Sequence, residues 1–462
     1  MKNRNSRFVL ALAVCLGACA ASAHAQTGAT TTPFWTGIKD AASFNRAMDA
    51  RLAHAVATLD KMLAVKAPRT IENTLRPYDD VLLELDAVSS QAQLIQSVHP
   101  NESLRQSAEK MSQKAGAFAT DLSLNRGVYE ALSSLDGTNA DAETKYYLTR
   151  TLRDFRLAGV DKDEPARKRI KALRDELVVI GQDFDRNIRT DLRTVTAKSV
   201  SELDGLPDDF IARHKPGAGG VITLNIDYPD SLPVFSFAKN EDLRKRMYIE
   251  YNNRGYPKNI EVLDRMIAKR AELARLVGYS NWADYITADK MVGSAKNASD
   301  FIDRIVAASG PTADREYDAL LKRKQQDVPG ASIVNAWEST YYAELVRKSS
   351  YDFDSQSVRP YFPFDRVKQG LLDVTSRLFG VAFRRVNDAP VWDSSVEAYE
   401  MAEDGKVIGR FYLDMHPRPN KYNHAAEFNI RTGAAGRQIA DKRRFGNLPA
   451  GGPGAEIGRA HV

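Results

Sequence analysis

The stretch GRFYLDMHPRPNKYNHAAEFNIRTGAAGRQ, residues 409–438, decides the fold. It departs from the helical spacing that governs most of what precedes it. Residues 396–402 and 407–414 alternate in character, with Glu403-Asp404-Gly405-Lys406 between them. Asp-Gly takes the positive φ angles of a tight hairpin turn at little cost, so the two runs are predicted to pair. Pro417 and Pro419 force a further turn, and residues 424–430 can supply a third strand. A small antiparallel sheet is therefore expected over residues 387–438, embedded in a mostly α-helical chain.

Upstream, apolar residues recur every three or four positions. Phe44, Met48, Leu52, Val56, Leu59 and Leu63 make one stripe, and Leu104, Ala108, Met111, Ala115, Phe118 and Leu122 another. Ile170, Leu173, Leu177, Ile180, Phe184 and Ile188 repeat the pattern. Such stripes predict antiparallel packed helices over residues 36–198, with their Met and Phe side chains in the core. Residues 199–239 change character: Pro207, Pro216, Pro229 and Pro233 break helices around a β-like run at 221–226. This reads as a loop-rich connection with short strands. Helices resume over 240–386. One stops near Gly278, and Asn281 is placed to cap the next. A long helix over 300–326 ends at Pro329-Gly330, and an amphipathic one over 364–379 is closed by Gly380.

The 462 residues are 43% hydrophobic and 27% charged, which suits a folded globular chain. Net charge is only +5, with basic residues interleaved among acids, so no nucleic-acid partner is expected. At the N-terminus Lys2, Arg4 and Arg7 precede an apolar run at 8–21, and Ala23-His24-Ala25 offers a small-x-small cleavage site. This is a secretory signal pattern over residues 1–25, followed by a linker at 26–35. Leu16-Gly17-Ala18-Cys19 also resembles a lipobox, in which Cys19 would carry a lipid. Both readings place the protein outside the cytoplasm, in the periplasm, and no later run is long enough to span a membrane. Cys15 and Cys19 are the only cysteines, so the mature chain has no disulfide, thiolate zinc site or cysteine nucleophile. P-loop, G-x-G-x-x-G and G-x-S-x-G patterns are absent, which excludes those nucleotide and serine-hydrolase chemistries.

Several short motifs then fall in one order: Trp337 with Tyr341-Tyr342, Tyr361-Phe362-Pro363, Gly370-Leu371-Leu372 and Leu378-Phe379-Gly380. The residue 409–414 run, Pro417-Arg418, Lys421-Tyr422-Asn423-His424-Ala425-Ala426 and Gly436-Arg437-Gln438 continue it. Upstream stand Arg244-Lys245-Arg246 with Tyr251-Asn252, and Leu276-Val277-Gly278-Tyr279 with residues 281–285. In this order they resemble the thimet-oligopeptidase-like zinc metallopeptidases. The resemblance implies a large helical fold with a deep channel between two lobes, in which short peptides are cut at one zinc ion. It also implies two zinc-holding histidines in H-E-x-x-H on a helix, since positions i and i+4 share a helix face, and a glutamate on a later helix.

The chain departs from that pattern. None of its seven histidines begins H-E-x-x-H, and E-x-x-H is absent as well. In the family the zinc helix comes after the Gly-Arg-Gln element, and only residues 439–462 follow it here. Those residues show no helical or strand period, and EIGRAHV at 456–462 reads like the in-frame translation of a sequencing adapter. The expectation is a tail foreign to the family, with the catalytic C-terminal part missing and no zinc bound; the rival is a natural short paralogue. Arg418, Tyr422 and His424 are the candidate peptide-binding residues, because the family's sheet borders its channel. Short peptides are the expected partners, a monomer the expected state. Poor solubility is expected too, since a missing wall would leave core faces open.

Overall fold

Side-chain caps fix where the N-terminal helices begin. In the computed structural model, which describes residues 32–354, 356–422 and 425–446, Asp40 accepts the Ser43 amide at 2.7 Å and Ser43 Oγ accepts the Asp40 amide at 3.0 Å. This reciprocal pair satisfies donors that a helix start leaves open, and α1 (Ala41–Leu63) follows. α2 (Arg76–Val98) is entered through a π-helical turn at Ile71–Leu75. Asn101, Asn125, Asp141 and Asp163 then cap α3 (Glu102–Ser123), α4 (Arg126–Ser133), α5 (Ala142–Ala158) and α6 (Glu164–Thr190).

The α1 stripe differs from its sequence reading by rotation. Phe44, Met48, Leu52 and Leu59 are buried as expected, but Ala55 and Met62 join them while Val56 is exposed. The buried row keeps to the 3.6-residue period of the helix, whereas a row through Val56 and Leu63 runs ahead of it.

β1 (Thr194–Ala197) and β2 (Ile222–Asn225) form an antiparallel pair around α7 (Asp208–Arg213). They share a small core with α8 (Tyr228–Phe237) and α9 (Glu241–Asn252), built on Phe210, Leu224, Val234 and Met247. α10 (Lys258–Val277) packs on α6 through Leu273 and Val277 against Ile170 and Leu173. Asn281 caps α11 (Trp282–Thr287), accepting the Asp284 amide at 2.9 Å. α12 (Ala295–Asp327), α13 (Ser339–Tyr351) and α14 (Phe364–Phe379) complete the helical part. No described helix is long and apolar enough to cross a membrane; the signal segment lies outside the described residues.

The sheet is made of β3 (Ala382–Arg385), β4 (Glu397–Glu403), β5 (Lys406–Asp414), β6 (Ala426–Arg431) and β7 (Ala440–Phe445), in the order β3-β4-β5-β7-β6. The β4–β5 hairpin turns at Asp404 (φ +48°) and Gly405 (φ +78°), as Asp-Gly predicted. Two features correct the sequence reading. The sheet is mixed, because β5 and β7 run parallel. And β7 lies in the segment read as a periodless tail. Its period of two is carried by charge: Asp441 and Arg443 are fully buried, while Lys442 and Arg444 are exposed. Apolar alternation, the usual strand signal, is missing because ion pairs fill the inner face.

The apolar face of this sheet rests on helices far from it in sequence. Trp392, Val396, Ala398, Tyr412 and Ile430 join the core of α1 to α5, around Phe44, Leu94, Ile95 and Leu132. Elsewhere amphipathic faces stay open. Phe301, Ile302, Ile305 and Val306 on α12 and Leu371, Val374 and Leu378 on α14 are all exposed, and α14 buries no residue. Apolar spacing placed these helices correctly, but spacing alone does not say that a face is covered.

Candidate functional site

One buried carboxylate organises the turn after β5. Asp414, the last residue of β5, is 0% exposed. It accepts the Trp392 indole N–H at 2.9 Å and two hydrogen bonds from Arg418, at 2.6 and 2.9 Å. Lys421 Nζ lies 2.9 Å away and Arg443 3.5 Å away. Burial works against the Asp414 anion, but the Arg418 hydrogen bond and the charges of Lys421 and Arg443 outweigh it, leaving its carboxyl well below the usual carboxylate range. Burial likewise pushes the Lys421 ammonium down to about 8, against the pull of Asp414.

Of the three residues singled out from sequence, Arg418 is therefore a clamp. Its guanidinium also donates to the Val98 carbonyl at 2.8 Å, tying the turn to the end of α2. Lys421, not singled out, pins the same turn by donating to the carbonyls of Asp414, His416 and Gly446 at 2.6–2.8 Å. Arg437 does the equivalent further on, binding Asp79 and Asp80 of α2. His416 stands edge-on to Phe364, 5.5 Å between ring centres. His424 lies outside the described residues.

Tyr422 is placed differently. Its amide donates to Ser97 O at 2.9 Å, which anchors the backbone, while its side chain stays exposed. Burial and the charge of Asp185 on α6 push its phenol up, and Tyr422 in turn acts on Tyr228 of α8. Asp185 is itself exposed, yet protein crowds it enough that burial pushes its carboxyl up.

A separate cavity of about 460 Å³ lies between α14 and the β3–β4 edge. Lys368, Arg385 and Tyr399 all reach Glu397 there, at 3.0–3.3 Å, so its charges are already matched. Among the described residues no three His, Cys, Asp or Glu side chains come together as a metal-holding group. The described residues do not fit a zinc ion, and no chemical step is derived through one.

Residues 234–449 match the model of peptidase family M3. Curated relatives include oligopeptidase A of Escherichia coli, 28% identical over 384 residues, and saccharolysin of Saccharomyces cerevisiae, 25% identical over 396. Residues 234–449 are a peptidase M3 region, similar to the thimet-type oligopeptidases. A thimet-like oligopeptidase of Dictyostelium discoideum is 25% identical over 388 residues. These three alignments take in 79–80% of this M3 chain and 55–58% of the relatives, so the chain spans little more than half their length. The M3 match runs on to residue 449 and includes β7, which corrects, for residues 439–449, the expectation of a tail foreign to the family.

Proposed function

We propose that this M3 chain is the peptide-holding part of an exported zinc oligopeptidase and that, as it stands, it holds short peptides without cutting them. The observation that carries the reading is the seating of the M3-matched turn after β5 on the end of α2, through Arg418 to Val98 O and the Tyr422 amide to Ser97 O, which leaves the Tyr422 side chain exposed where the sheet meets the helices. The names oligopeptidase A and thimet-like oligopeptidase, borne by two of the relatives, support peptides as the ligand class. The missing H-E-x-x-H supports binding without turnover. A dedicated, non-catalytic periplasmic peptide binder on the same scaffold is the second reading, favoured by that same sequence feature. Export rests on Lys2, Arg4, Arg7 and the apolar run after them; N-terminal analysis of the secreted chain should find Gln26 first, or a lipid on Cys19.

The test is equilibrium binding of dye-labelled six- to ten-residue peptides to the full chain in the presence of a chelator, read by fluorescence anisotropy. Saturable binding competed by unlabelled peptide is expected. No binding at millimolar peptide would overturn the reading.

A further inference from the structure

The sheet has one edge covered and one open. β6, the strand that follows Tyr422, packs against α2. β3, at the other end of the strand order, has no strand beyond it among the described residues. Its pairing with β4 tells which of its backbone groups face outward. The two strands are antiparallel, with Ala382 opposite Ala402, Arg384 opposite Glu400 and Arg385 opposite Tyr399. Just past β3 the Val386 amide donates to the Ala398 carbonyl at 2.9 Å. Bonded and non-bonded positions alternate along an antiparallel ladder. Val386, Arg384 and Ala382 therefore turn their N–H and C=O groups to β4, and Phe383 and Arg385 turn theirs away from it. Those outward groups have no partner among the described residues. The preceding position of the same row is already taken, because Val381 O accepts the hydroxyl of Ser376 on α14.

Phe383 and Arg385 are also the two residues of β3 that line the cavity of about 460 Å³. Free strand groups and space thus lie side by side, between β3 and α14. Ordinary ligand pockets hold about 300–1,000 Å³, so the cavity suits a few residues of extended chain and not a folded partner. Its charges are matched among themselves. Lys368 lies 3.1 Å from Asp365 and 3.0 Å from Glu397, Arg385 lies 3.3 Å from Glu397, and Asp373 accepts the Gln369 side-chain N–H at 2.8 Å. Recognition then falls to the backbone and to an apolar floor. Phe383 and Tyr399 make that floor, the first edge-on to Phe411 at 5.7 Å and the second stacked on it at 5.2 Å between ring centres. Short length and charged side chains commonly guard an edge strand. β3 is short, but its arginines are drawn back along the sheet, Arg384 to Glu400 and Arg385 to Glu397, and neither bonds the outward groups.

We infer that the β3 edge takes up a short extended peptide as an additional antiparallel strand, with the peptide's apolar side chains on Phe383 and Tyr399. An antiparallel partner meets the outward N–H and C=O groups of both residues within about three residues of its own. Residues directly opposite on paired strands point to one face, so the peptide residues that bond Phe383 and Arg385 are those whose side chains meet the floor. The inference rests on the peptide-holding reading and gives the peptide backbone a seat of its own, on the edge opposite β6.

The experiment uses the full chain and an eight-residue peptide of alternating leucine and threonine with both ends blocked. Calorimetry compares the unmodified peptide with forms N-methylated at the leucines or at the threonines. Methylation removes a donor and keeps the side chain. The leucine-methylated form should bind at least about 10-fold more weakly, and the threonine-methylated form within about 2-fold of the unmodified peptide. Arg385→Pro removes an outward N–H and none that β4 uses, so it should weaken the unmodified peptide about 5-fold more than Arg385→Gln, which keeps that N–H. The methylated peptides test the same point on the unaltered chain, whether or not the proline variant folds. Equal weakening by both methylation patterns, weakening by threonine methylation alone, or weakening by neither overturns the inference and leaves the peptide-holding reading standing. So does a folded Arg385→Pro chain that binds like Arg385→Gln, or a dimer that Arg385→Pro converts to monomer, which would put a second copy on the edge. Failure of this peptide alone, where those of the anisotropy test bind, likewise overturns only the inference. If no short peptide binds, both are overturned.

Discussion

Arg418 and Asp414 are joined by two hydrogen bonds, 2.6 and 2.9 Å long, and the same guanidinium reaches across to Val98 on α2. The pair fixes the turn after β5 against the N-terminal helices. Removing the arginine leaves a fully buried carboxylate with weaker compensation from Lys421 and Arg443. Arg418→Ala should cost about 3 kcal/mol in urea unfolding, and Arg418→Lys less, because a lysine keeps the charge but not the fork. A change below ~0.5 kcal/mol would show that the clamp is not formed in solution.

Asp441 makes the corresponding prediction for β7. It is fully buried between Arg431 and Arg410, its ion-pair partners on the neighbouring strands β6 and β5. Asp441→Ala strands two buried guanidinium groups and should destabilise the fold by about 3–5 kcal/mol. Ending the chain after Gln438 should go further and lose the cooperative unfolding transition. An unchanged melting curve for that shortened chain would mean that β7 is not a native strand.

His99 sets a window of acid sensitivity. It is buried beside Trp35, 5.4 Å between ring centres, and its Nδ1 accepts the Asn101 amide at 3.0 Å. Burial, then the charges of Arg105 and Arg418, push it down to about 4, with Asp393 pulling weakly the other way. The unfolded chain therefore binds the proton more readily than the folded one between about pH 6.5 and 4. Stability falls as pH is lowered through that window, by roughly 3 kcal/mol at most from this group. Asp414, whose pKa is depressed, acts below it: its contribution is present above about pH 4 and is lost at lower pH. His99→Gln should flatten the stability profile between pH 6.5 and 4 and leave the steeper loss below pH 4 in place.

The open faces of α12 and α14 are expected to bind the dye ANS in the native state. Leu371→Lys together with Leu378→Lys, both on exposed positions, should lower dye binding and raise solubility. Stability should change by no more than about 0.5 kcal/mol. A large loss of stability would show that another element covers α14.

How much of this was legible in sequence depends on what signals burial. Phe44, Met48 and Ile170 announced the helices because their apolar groups recur at the helical period. Asp404-Gly405 announced the hairpin because few pairs take its φ angles. β7 stayed hidden because Asp441 and Arg443 are buried as charges, and the parallel β5–β7 pairing has no local turn to mark it. Arg418 and Tyr422 came forward together from neighbouring family motifs, yet Arg418 is a clamp on Asp414 while Tyr422 keeps an exposed side chain, since a motif records position and not which way a side chain points. Tyr251 and Trp337 stood in separate family motifs, and the edge-on contact of Trp337 with Tyr248, made as α13 packs on α8, had no local signal in the sequence.

The most direct test of the account is to load the full chain with one equivalent of zinc and follow both retained metal and hydrolysis of a quenched fluorescent peptide. The account predicts that gel filtration strips the zinc and that the peptide stays intact while bound. Zinc that co-elutes with the chain and cleavage that a chelator abolishes would contradict it.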